Sequence, residues 1–65
     1  MVRFLEQRGF TVVRIRGSHH VMALREQRTT VPVHANQVLK IGTLRGILRD
    51  VDVSPAEFAK EWNPD

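Results

Sequence analysis

The chain has 65 residues, no cysteine, a formal charge of +3 and 42% apolar residues. A chain of this length buries roughly 60% of its unfolded surface, without a disulfide framework or a cysteine-ligated zinc to reinforce it. No apolar run approaches the ~18 residues of a membrane span, and the first ten residues lack the continuous apolar stretch of a signal peptide. The expectation is one soluble, cytoplasmic domain over residues 1–65. Charge is unevenly spread. Met1 to Arg49 holds nine Lys/Arg and two acidic residues, whereas Asp50 to Asp65 holds five acidic residues and one lysine. A basic body with an acidic end suggests a polyanion-binding surface and a separate face turned away from it.

Met1 to Arg8 reads as a short helix with Met1, Val2, Phe4 and Leu5 on its apolar side and Gly9 as its stop. No N-cap residue precedes it. Phe10 to Arg16 is rich in β-branched residues and reads as a strand. Strict alternation places Thr11, Val13 and Ile15 on the core face and Val12, Arg14 and Arg16 on the other. Gly17-Ser18 supplies the turn. His19 to Arg25 is the second strand, and its adjacent histidines must face opposite ways. Bulk favours Met22 and Leu24 inside, which puts His20 at the core rim and His19 outside.

Arg25 to Arg28 reads as a polar turn, and Thr29 to Val33 as a third strand with Val31 and Val33 on one face. Pro32 has no N–H for a ladder, so this strand belongs at an edge. His34 to Gly42 is a connection, and Thr43 is the expected cap of a helix carrying the stripe Leu44, Ile47, Leu48 and Val51. Gly46 weakens that helix unless it permits a close backbone approach. Ser54-Pro55-Ala56-Glu57 is a helix start of capping-box form, and Phe58 and Trp62 form the apolar side of the last short helix.

On chemistry, a histidine beside a Gly-Ser turn and flanked by arginines suits acid–base work on a phosphate backbone, because histidine exchanges protons near neutral pH. Arg14, Arg16 and Arg25 add charge that does not titrate. His34 is the candidate for a second proton-transfer group, although it stands at the end of the third strand. A three-histidine metal site is not expected, since His19 and His20 diverge. Nothing resembles the exposed aromatic triplet on which single-stranded bases stack.

Taken together, Gly9-Phe10, Arg16-Gly17-Ser18-His19-His20, Thr30-Val31-Pro32-Val33-His34 and Lys40-Ile41-Gly42-Thr43-Leu44-Arg45-Gly46-Ile47-Leu48 resemble the HicA family of bacterial toxins, over Phe4 to Phe58. The resemblance implies an α+β, double-stranded-RNA-binding-like fold. Its order is α-β-β-β-α, with a three-stranded antiparallel sheet packed on one face by helices; a short C-terminal helix follows here. It also implies a toxin of a type II toxin–antitoxin system that cleaves mRNA, needs no metal or other cofactor, and is inhibited by a HicB-type antitoxin. By the family pattern the histidine directly after Gly-Ser is catalytic, which selects His19, with Gly17 and Ser18 shaping the turn. Arg14, Arg16, Gly17, Ser18 and Arg25 are the expected RNA contacts. The family's lysine before the glycine is Arg16 here, which keeps the charge. Its first helix is longer, which bears on stability more than on chemistry. A non-catalytic RNA-binding module, or a decayed toxin of the same fold, is the alternative reading.

Overall fold

Two helix stops and two tight turns set the architecture. The computed structural model describes residues 1–33 and 39–62. Its elements are α1 (Val2–Gln7), β1 (Thr11–Arg16), β2 (His19–Leu24), β3 (Gln27–Pro32), α2 (Ile41–Asp50) and α3 (Pro55–Glu61). The strands form one antiparallel sheet in the order β1-β2-β3. One sheet face, through Met22 and Val31, joins Phe4 and Leu5 of α1 and Ile47 and Leu48 of α2 in a single buried cluster. This is the α+β arrangement expected.

Both longer connections out of helices use the same device. After α1, Gly9 takes φ +99°, the Gly9 N–H bonds to the Glu6 carbonyl, and the Phe10 N–H bonds to the Leu5 carbonyl. This Schellman motif satisfies carbonyls left open at the helix end and brings buried Leu5 against buried Phe10. A side chain at Gly9 would also meet Leu24 at 3.5 Å. After α2, Asp52 takes φ +60°, with Asp52 N–H on the Arg49 carbonyl and Val53 N–H on the Leu48 carbonyl. Here a non-glycine residue holds the left-handed position.

The two hairpins are equally tight. Gly17-Ser18 joins Arg16 to its cross-strand partner His19, and Arg25-Glu26 joins Leu24 to Gln27. Gly17 and Arg25 have φ of +55° and +56°, and neither residue that follows them has positive φ. That is the pattern of a type II′ turn, which suits strand twist and normally takes glycine first. Because the second turn needs only two residues, β3 starts at Gln27, not Thr29. It ends at Pro32, leaving Val33 exposed, so Val33 does not share Val31's buried face. The edge position inferred from Pro32 is borne out.

Strict alternation fails in β1. Val12 pairs with Met22 but Arg14 pairs with Val21, so Val13 is an extra, bulged residue. The bulge shifts the phase, placing Val12 against the core while Val13 and Ile15 stay 52% and 59% exposed. The expected core set Thr11, Val13 and Ile15 is therefore wrong. Without the bulge, burying Val12 would turn Arg14 and Arg16 towards the apolar side, where unpaired charge is costly.

At α2 the expected Thr43 cap is also wrong. The helix begins three residues earlier, with Lys40 at the cap position and no side-chain cap bond. The Ser54 cap is correct: its hydroxyl accepts from the Glu57 N–H at 3.1 Å. The Glu57 carboxylate meets Arg8 (3.2 Å), whose guanidinium also reaches Glu61 at 2.7 Å and lies over the Phe4 ring. Phe4, Phe58 and Trp62 form an aromatic cluster beneath these ion pairs, with Phe4 edge-on to Phe58 and Phe58 stacked on Trp62. Exposed ion pairs contribute at most about 1 kcal/mol each, so the rings are the main contact that seats α3 on α1.

Gly46 has open space where a side chain would project, so no close approach requires it. Gly46→Ala is expected to stabilise the fold by about 1 kcal/mol, or about 4–8 °C in Tm. Asp52→Gly, which relieves the left-handed position, should add about 0.5 kcal/mol. Thermal denaturation of the two variants checks both values.

Candidate functional site

Cross-strand partners in a sheet share a face, so the register sorts the site directly. On the face away from Met22 lie three rows: Arg16, His19 and Pro32; Arg14, Val21 and Thr30; and Thr11, Ala23 and Arg28. Arg14, Arg16, His19, Arg28 and Thr30 are all exposed, and none of the residues in these rows is acidic. Glu57 and Glu61 lie with α1 and α3, which pack from the opposite side. For Glu57 and Glu61 the segregation of charge expected from the composition is thus realised in space, whereas Asp50 lines a groove beside Arg28 and Thr30.

His19 is the first residue of β2, directly after the Gly17-Ser18 turn. Glycine fits the turn because its first position needs φ of +55°. The Ser18 carbonyl accepts from the Val33 N–H at 2.6 Å, which fastens the turn to the end of β3. Directly opposed side chains in an antiparallel pair have Cβ atoms about 5 Å apart, so the side chains of Arg16 and His19 leave the sheet as immediate neighbours on this face. Arg14 is one row further along the same face. Backbone pairing on both flanks of β2 therefore fixes where His19 projects.

His20 lies on the other face, opposite Ile15 and Val31. It is half-buried, and its Nδ1 is buried without a hydrogen-bond partner. The expected division of the histidine pair, His19 outward and His20 at the core rim, is what the structure has. His34 lies outside the described residues. Among the described residues, no three His, Asp or Glu side chains come close enough together to hold a metal ion.

Arg14, Arg16, Gly17, Ser18 and His19 are brought together. Arg25 is not: it occupies the turn at the far end of β2, roughly 20 Å away by strand rise. Arg28 and Thr30 share the open face without being among the expected contacts; Arg28 belongs to β3 and not, as the sequence suggests, to the turn before it. A groove of about 440 Å³ runs beside them between β3 and α2, with Arg28, Thr29, Thr30, Thr43, Gly46 and Asp50 in its lining. The Thr29 hydroxyl donates to the Asp50 carboxylate at 3.0 Å across it, tying β3 to α2.

Comparison with known proteins agrees with this arrangement. The model of a family described as the HicA toxin of bacterial toxin–antitoxin systems matches residues 1–53, from α1 through the turn that ends α2. Helix α3 lies beyond the matched part. No curated protein and no solved structure matches the chain. Among the described residues no helix is long and apolar enough to cross a membrane. With the match spanning more than three quarters of its length, the chain belongs to the HicA toxin family of bacterial toxin–antitoxin systems.

Proposed function

We propose that this HicA-family toxin is an endoribonuclease that cleaves mRNA in the cytoplasm, with His19 as its acid–base residue. A HicB-type antitoxin would inhibit it by covering the open sheet face. The observation that supports this most is the row Arg16–His19, in which a histidine and an arginine are direct cross-strand neighbours, both exposed, on rows that hold no acidic residue. Cleavage without a metal requires the ribose 2′-hydroxyl to lose its proton and attack the adjacent phosphorus. The 5′-oxygen must then gain a proton as it leaves, so the products are a 2′,3′-cyclic phosphate and a 5′-hydroxyl. His19 performs one of these proton transfers. Arg16, with Arg14 behind it, holds the phosphate and opposes the charge that builds on it. Gly17 and Ser18 keep the backbone low beside the imidazole. Arg25 contacts a more distant stretch of the same RNA.

The competing reading is a non-catalytic RNA-binding module or a decayed toxin. One observation favours it: His20 turns to the other face and does not pair with His19 in proton transfer. The basic face would then bind RNA by shape and charge alone.

Incubation of the purified protein with RNA in EDTA separates the two readings. Cleavage that leaves cyclic-phosphate ends is expected, reduced about 10²- to 10⁴-fold in His19→Ala with RNA affinity retained. Wild-type rates in His19→Ala would refute the assignment, and RNA binding without cleavage by either protein would establish the module. For the arginines, Arg14→Ala and Arg16→Ala should each lower the slope of log affinity against log salt by about 0.7 on single-stranded RNA. An unchanged slope would remove that residue from the phosphate contacts.

A further inference from the structure

We propose that the outer edge of β1, from Val13 to Arg16, is a docking site for an extended acidic segment of a protein partner, which joins the sheet as an added strand. β1 ends the sheet, and among the described residues no strand pairs with its outer side. Such an edge presents unpaired backbone N–H and C=O groups. It also carries the two most exposed large apolar side chains of the sheet, Val13 and Ile15. The other edge differs: β3 contains Pro32, which has no N–H to offer, and its Val31 is 1% exposed.

Charge chooses the occupant. Arg14 and Arg16 lie on the open face, whereas Ile15 lies on the helical side at the rim of its cover. An added strand must match this alternation, with acidic residues facing the arginines and an apolar residue facing Ile15. A second copy of the chain does not fit. The symmetric pairing that sets Ile15 against Ile15 places Arg14 against Arg16 on both sides of it, and opposed like charges destabilise a sheet. RNA would satisfy the arginines but would leave Val13 and Ile15 wet. The edge is thus closed to its own kind and open to the opposite charge, a combination that gives specificity as well as protection from aggregation. The inference does not depend on the role proposed for His19.

The test uses the full chain and a synthetic peptide of alternating glutamate and valine, with amide hydrogen exchange followed residue by residue. Added peptide should slow exchange at amides within Val13 to Arg16. It should bind about tenfold more tightly than the same peptide with lysine for glutamate. Blocking the peptide's own backbone by alternate N-methylation should abolish the effect. The double variant Arg14→Glu, Arg16→Glu should reverse the preference in favour of the lysine peptide. Three results would each overturn the proposal: no slowing with the glutamate peptide, equal slowing with its N-methylated form, or a dimer in sedimentation whose β1 amides are already protected without peptide.

Discussion

The bulge at Val13 resolves a conflict that a regular strand could not. Val12 must face the core opposite Met22, and Arg14 and Arg16 must stay in water, yet regular alternation would put all three on one side. One extra residue shifts the phase of the strand and meets both demands. The same shift places the two arginines in the rows of His19 and Thr30, and leaves Val13 and Ile15 exposed at the sheet edge. The basic face and the apolar edge therefore follow from a single local irregularity.

A second constraint is scarcity of apolar material. Helices cover one side of the sheet, so the core is a single layer: Phe4, Leu5 and Phe10 near the start, Met22 and Val31 from the sheet, and Ile47, Leu48, Val51 and Val53 around α2. Each Schellman motif contributes a pair to this layer, Leu5 with Phe10 and Leu48 with Val53. The last helix extends the layer sideways through Phe58 and Trp62 onto Phe4. A one-sided core leaves the other sheet face free. That freedom lets arginines and a histidine crowd together where no apolar partner is needed.

Positioning on that face comes from the backbone. β2 is the central strand, and His19 is paired on one side with Arg16 and on the other with Pro32, while the Ser18 carbonyl is held by Val33. A side chain so placed needs little further support to keep its direction. Glu57 and Glu61 are drawn to the helical side by Arg8, so these two carboxylates do not neutralise the face that carries the site.

The sequence by itself determined the order of elements, because their signals are local. Gly9 stops α1, Gly17 starts a tight turn, Ser54 caps α3, and the spacing of Ile47, Leu48 and Val51 demands a helix against a sheet. It also determined that His19 and His20 diverge, since alternation in β2 is regular. Tertiary structure decided the phase of β1 and where β3 and α2 start. A bulge is chosen by what lies across from it, and Val13 carries no local mark of being the extra residue. The Arg25-Glu26 turn places an arginine where glycine is usual, so β3 could be given its register only by pairing with β2. The helix after the connection begins at Ile41 without a side-chain cap, so its start had no signal. Which arginines stand beside His19 is a fact of cross-strand register, and register is settled by packing across the whole sheet.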